Sequence, residues 1–253
     1  MRTRIAASVI TLLLALPSGA AAHEFALVPQ PWQVYHTGQE VPFGLVATHA
    51  FLKSEELEDP ASVSATYEGK DITLQADSVF LQHEGKVKLG KSGAALLRAH
   101  RKGEIWSNTP KGWLKGGRDT HKNAITSNKY EKFAKTLLPV DGKTEGFDKV
   151  AGDRLEIVPV DNPLAARPGD TVRFKVLLDG KPFAPESVTA TYDGFSDAAN
   201  TWAYLTEPGG DGLASIRLST SGLWMVRVEH TDRTKTAEYD AHVMRATLVF
   251  PVR

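Results

Sequence analysis

The chain has 253 residues, with 30 Lys and Arg balanced by 30 Asp and Glu, 8 His and no Cys. Balanced charge argues against a nucleic-acid partner, which calls for a basic surface. The absence of Cys excludes disulfides, thiolate metal ligands and thiol redox chemistry, so stability has to come from apolar cores.

In chain order, the first element is a leader. Arg2 and Arg4 precede an apolar stretch from Ile5 to Leu16, which Pro17, Ser18 and Gly19 end before Ala20, Ala21 and Ala22. That is the order of parts in a secretory signal peptide, residues 1–22. The stretch is too short to cross about 30 Å of hydrocarbon as a stable helix. No Cys follows it, so a lipoprotein anchor is excluded. Cleavage after Ala22 is expected, with a cut after Ala21 as the competitor. The first choice makes His23 the mature N-terminus. The mature chain is expected in the periplasm, with peripheral or no direct membrane contact.

After the leader, short alternating segments predict half-buried antiparallel strands. They include Val41-Phe43-Leu45, Val63-Ala65-Tyr67 and Val172-Phe174-Val176, then residues 213–218, 223–228 and 242–249. Two stretches echo each other. Ser62-Val63-Ser64-Ala65-Thr66-Tyr67-Glu68-Gly69 resembles Ser187-Val188-Thr189-Ala190-Thr191-Tyr192-Asp193-Gly194, and upstream Val41-Pro42-Phe43 parallels Val172-Arg173-Phe174. A repeat of this period suggests two copies of one β-sandwich unit. Residues 140–152 have linker composition, which divides the mature chain into 23–150 and 151–253. The first unit carries a Lys-rich insertion, residues 86–122, holding Trp106 and Trp113. One short helix is expected next. Asn128 can cap it with Glu131 at the reciprocal position, Tyr130, Phe133, Ala134, Leu137 and Leu138 line one face, and Pro139 stops it. The expected class is all-β, two Ig-like β-sandwich domains with that insertion and one helix.

The candidate chemistry lies in the histidines. A mature N-terminal His23 offers its α-amine and ring Nδ1, which close a chelate ring on a metal. A second imidazole opposite would complete a nitrogen set suited to Cu(II) or Ni(II). His49 ends the strand beginning at Val41, and His230 ends the strand beginning at Leu223; both are candidate ligands. His242 reads as a packed sheet position, and His83, His100 and His121 as parts of a solvated loop. Glu55-Glu56 and Glu58-Asp59 read as solvated acidic pairs. No HxH, HExxH, GxSxG, phosphate-binding glycine loop or dinucleotide fingerprint occurs, so no enzyme is expected.

Four stretches carry a resemblance to a known family. They are His23-Glu24-Phe25 with Pro29; Thr48-His49-Ala50-Phe51; residues 105–113 (IWSNTPKGW) leading to Lys129-Tyr130-Glu131-Lys132-Phe133-Ala134-Lys135; and Leu155-Glu156-Ile157-Val158-Pro159 with Pro168-Gly169-Asp170 and residues 178–182 (LDGKP). In these the chain resembles periplasmic components of nickel/cobalt transport systems, built on a domain otherwise of unknown function. It departs from them at Ala50, where the family often has Pro. The resemblance implies a β-sandwich that binds a divalent transition metal ion, Ni or Co, for a membrane metal-import complex. Nitrogen sites favour Cu(II) intrinsically, so a copper-binding periplasmic protein, or a copper oxygenase with an N-terminal His site, stands as the alternative. A module that binds no metal is a further one.

Overall fold

The computed structural model describes residues 23–29 and 34–253; the signal-peptide reading of residues 1–22 lies outside them. The first half contributes β1 (Glu24–Pro29), β2 (Glu40–Thr48), β3 (Val63–Tyr67), β4 (Lys70–Ile72), β5 (Leu74–Asp77), β6 (Gln82–Lys88), β7 (Gly93–Thr109), β8 (Gly112–Lys115) and β9 (Thr126–Val140). The second half contributes β10 (Leu155–Pro159), β11 (Thr171–Leu178), β12 (Lys181–Pro182), β13 (Val188–Tyr192), β14 (Tyr204–Thr206), β15 (Leu213–Arg217), β16 (Gly222–Asp232) and β17 (Ala241–Val252). The described chain is all-β, with no helix.

Three sheets result. Two are small: β1-β2-β6-β5, and β10-β11 with β12 and β15 on the far side of β11. The third has nine strands in the order β14-β13-β16-β17-β9-β7-β3-β4, with β8 on β7. Its pairs are antiparallel except at the centre, where β17 runs parallel to β9. Outward from that pair, β7, β3 and β4 on one side match β16, β13 and β14 on the other. The echoing segments hold equivalent places: β2 and β11 each lie inside a small sheet, and β3 and β13 each lie in the large one.

Alternation along the strands fills the spaces between sheets. Phe25, Leu27, Phe43 and Leu45 of the first small sheet meet Leu97, Ala134 and Leu138 of the large one. Leu155, Ile157, Phe174 and Val176 of the second meet Trp224, Val226, Leu248 and Phe250. A third cluster, Ala26 and Val46 with Leu223, Met225 and Val249, joins β1 and β2 to the second half's strands. β1 is therefore packed on both faces, which fixes its start, at Glu24, against β16 and β17.

The helix expected over residues 128–138 is instead strand β9. Phe133 and Leu137 pack into one core, and Ala134 and Leu138 into the other. A strand buried on both faces loses its polar/apolar alternation. The surviving apolar positions then fall at 3, 4, 7 and 8 residues from Tyr130, which imitates a helical stripe. The Lys-rich stretch 86–122 is also mostly strand. In β6, His83, Gly85 and Val87 are buried while Glu84, Lys86 and Lys88 are exposed, a period of two that its charge conceals.

Candidate metal centre

β1 and β2 pair antiparallel with Glu24 opposite Thr48, Phe25 opposite Ala47 and Leu27 opposite Leu45. One step beyond the first of these pairs, the same register sets His23 across from His49. Both share the parity of Phe25, Leu27 and Leu45, so they point to the core side of the small sheet, at its rim. Their ring centroids are 4.0 Å apart with the planes inclined at 39°.

The chain then turns back on itself. Thr48 Oγ1 donates to the Ala50 carbonyl, and Lys53 N donates to Ala50 O at 3.0 Å. Leu52 adopts the left-handed conformation (φ 71°), which L-residues other than Gly disfavour, and this tightens the turn. Glu55 N donates to Ala47 O at 2.8 Å, and an isolated bridge pairs Glu56 with Ala47. The return delivers two carboxylates to two imidazoles. Glu55 Oε2 lies 2.8 Å from His49 Nδ1 and 3.7 Å from His23 Nε2. Glu56 Oε2 lies 2.8 Å from His23 Nδ1. The ring side chains are 21 % and 16 % exposed, the carboxylates 40 % and 52 %, so the acidic side is the open one.

The hydrogen bond with His49 holds the Glu55 carboxyl below its ordinary range, and the hydrogen bond with His23 does the same for Glu56. Two carboxylates around two imidazoles with no thiol form an oxygen–nitrogen donor set with a place for positive charge. Imidazole suits Zn, Cu, Fe and Ni, and the carboxylate adds a harder donor. Among the described residues, His23, His49 and Glu55 form the group whose ligand atoms all lie within 4.8 Å of one another. Three protein donors with an open side leave positions for water or a transferring ligand.

The surroundings pin the main chain of both histidines. Arg245 Nη1 donates to His23 O at 3.3 Å, and Asn200 N donates to His49 O at 2.8 Å. Arg245 is tied to Glu229 at 2.7 Å, Glu229 to Arg227 at 2.6 Å, and Arg227 to buried Glu24 at 3.1 Å. On the Glu56 side, buried Glu58 pairs with Lys132 at 2.6 Å and with Arg101 at 3.1 Å. The second half offers an internal comparison. Leu155 pairs with Leu178, and one step outward Arg154 faces Asp179 in an exposed ion pair at 3.2 Å. With Phe43 aligned on Phe174, that ion pair is the counterpart of Glu24 and Thr48, and the places of His23 and His49 are taken by buried Asp153, paired with Arg98, and by Gly180.

His230, the third candidate ligand, is not brought to the pair. It shares the parity of Trp224, Val226 and Val228, which face the second small sheet, and its ring packs edge-on against Phe183 at 4.6 Å. Burial pushes its imidazole down from the ordinary value. All five remaining histidines have partners within hydrogen-bonding reach, among them His36 with Asp141 Oδ1 at 3.2 Å and His121 with Lys115 O at 3.0 Å. His83, expected in a solvated loop, is buried with Nε2 2.7 Å from Glu58 O. His100 Nε2 lies 2.9 Å from Glu131 Oε1, and His242 Nε2 lies 2.9 Å from Glu131 Oε2. Burial alone would raise the Glu131 carboxyl, but the two imidazoles outweigh it and hold that carboxyl far below its usual range. Glu55 and Glu56 were not foreseen as site residues. The signal for them was a pair of acids set six and seven residues after a strand-ending His.

Residues 20–232 match a family described as a domain of unknown function, DUF4198. No curated protein matches the chain. Among solved structures, the D0-D1 domain of intimin is similar at 12 % identity, covering 88 % of this chain and 96 % of that one, with a TM-score of 0.24. The Yersinia pseudotuberculosis adhesin InvE is similar at 12 % identity, covering 92 % of this chain and 61 % of that one, with a TM-score of 0.26. The human OSCAR ligand-binding domain is similar at 16 % identity, covering 90 % of this chain and all (100 %) of that one, with a TM-score of 0.23.

Proposed function

The chain belongs to the DUF4198 family, and we propose that it serves there as a periplasmic protein that binds a divalent transition metal, nickel or cobalt, and passes it to a membrane importer. The observation that carries this reading is the convergence of His23, His49 and Glu55 on one half-open rim. Three further points support it. At the equivalent rim of the second half Asp153 and Gly180 stand where His23 and His49 do, so the fold does not need histidines there. The donors are nitrogen and oxygen, as a borderline divalent ion favours. The site sits at an exposed edge, where a bound ion can be handed on.

Within this proposal the two halves, 23–150 and 151–253, are two Ig-like sandwich domains that share the large sheet, and the protein binds and carries without catalysing a reaction. Export through the leader at residues 1–22 belongs to the same reading. Calorimetric titration of the mature protein with Ni(II) and Co(II) tests it. Binding is expected in the wild type and strongly weakened in His49→Ala and Glu55→Ala. Absence of binding, or equal affinity in all three proteins, overturns it.

The copper alternative rests on one observation, the two imidazoles whose centroids lie 4.0 Å apart. With a free amine on His23 they would make three nitrogens, a set that Cu(II) takes ahead of Ni(II). Competition between the two ions for the same protein separates the readings.

A further inference from the structure

The two ring nitrogens of His23 face two different carboxylates. Nε2 points to the side shared by His49 and Glu55, where Glu55 Oε2 is 3.7 Å away. Nδ1 is engaged by Glu56 Oε2 at 2.8 Å. This division has chemical weight, because the two nitrogens support different coordination. Nδ1 alone can close a chelate ring with the backbone nitrogen of its own residue; Nε2 is too far along the ring. Nε2 can only act as a single donor beside His49 and Glu55.

Glu56 does not reach His23 by accident of a loose side chain. Its main chain is bridged to Ala47, its neighbour Glu55 donates its N–H to the carbonyl of the same residue, and the His23 carbonyl is held by Arg245. Behind it, the buried Glu58–Lys132–Arg101 group fixes the following turn. Glu56 therefore stands as a built partner for the chelating nitrogen.

We infer that Glu56 is a specificity-determining residue that reserves Nδ1 of His23 and so directs an incoming ion to the Nε2–His49–Glu55 set, away from a terminal amine chelate. The inference rests on the proposed metal-binding reading. A planar chelate rich in nitrogen is the arrangement that Cu(II) uses best, whereas a mixed set of two imidazoles and a carboxylate leaves Ni(II) and Co(II) open positions for water. Glu56 thus biases the rim against copper without touching the ion.

The test uses mature protein cleaved after Ala22, its Glu56→Ala and Glu56→Gln variants, and a form of each in which the His23 amine is acetylated. Cu(II) and Ni(II) affinities are measured by competition with a chelator of known strength. The nitrogen donors of bound Cu(II) are counted by electron paramagnetic resonance. Glu56→Ala is expected to bind Cu(II) at least tenfold more tightly while Ni(II) affinity shifts less than threefold, and to gain one nitrogen donor. Acetylation is expected to abolish both changes. Glu56→Gln keeps a hydrogen-bonding group at Nδ1 and is expected to fall between wild type and Glu56→Ala. An unchanged Cu(II)-to-Ni(II) ratio in Glu56→Ala, or a gain that survives acetylation of the amine, overturns the inference. If the wild type binds neither Ni(II) nor Co(II), the metal reading itself fails. If it binds them and His49→Ala does not, a negative Glu56 result counts against Glu56 alone.

Discussion

Asp153 and Gly180 occupy in the second half the places that His23 and His49 occupy in the first, so the fold does not depend on histidines there. His49 pairs with Glu55 at a half-open rim, and such solvent-exposed pairs are worth about 0–1 kcal/mol. His49→Ala is therefore expected to leave the melting temperature nearly unchanged while weakening Ni(II) binding at least tenfold, about 1.4 kcal/mol, as read by calorimetry beside a thermal melt. Glu58 is the reverse case. It is buried with Lys132 and Arg101, so Glu58→Ala leaves buried Lys132 without its carboxylate and Arg101 with Glu104 alone, and is expected to cost about 3–5 kcal/mol in urea unfolding. Burial would raise the carboxyls of Glu58 and Glu229, but neighbouring cations (Lys132 and Arg101 for Glu58, Arg245 and Arg227 for Glu229) hold both below the ordinary carboxylate range. A depressed acid stabilises the fold fully above its unfolded value and loses that contribution as pH falls toward the folded one. The melting temperature is thus expected to hold above pH about 5 and to drop steadily below about 4.5. His23 and His49 were legible in the sequence as candidates, the first from the expected cleavage point and the second from the end of a strand. His230 met the same strand-end criterion, but strand parity, which depends on register, turned it to the opposite face. Glu55 and Glu56 were read as solvated because nothing local reveals that the Leu52 turn carries them back over the rings.

At the scale of elements, β9 shows how a buried centre disguises itself. Its Lys, Ala and Leu content favours a helix, yet pairing with β7 and β17 and packing into two cores override that preference. Leu137→Ala is expected to destabilise the protein by about 2–5 kcal/mol, measured by denaturant unfolding. The same change in an amphipathic surface helix would cost far less. Gly85 in β6 marks another close approach. A Cβ there would stand 2.5 Å from the Phe43 ring, so Gly85→Ala is expected to cost about 1–3 kcal/mol in the same assay. Strand β11 was legible because Val172, Phe174 and Val176 meet a core while Thr171 and Arg173 meet water, whereas β2 and β13 are buried on both faces and were legible by their echoes in the opposite halves. The Lys-rich strands β6 and β7 were less so, since long charged side chains mask a period of two.

For the whole molecule, the repeated segments were readable as a pair of units, but the join between them was not. The linker composition of residues 140–152 separates the halves in sequence, while β9 and β17 unite them in one sheet. Parallel pairing of strands so far apart leaves no local mark, because neither turn residues nor spacing encode it. A chain ending at residue 240 is expected to lose the cooperative melt of the full protein and to aggregate, checked by calorimetry and light scattering.

That central pairing also sets an order of events. A polypeptide emerging N-terminus first displays the long edge of β9 while its neighbour β17 has yet to arrive, and the entire second half must follow before the gap is filled. Until then an unguarded strand invites annealing with another nascent chain. The interval between the two strands is the molecule's vulnerable period, and a shielding chaperone during that interval should raise the yield of folded protein more than any change at the metal rim.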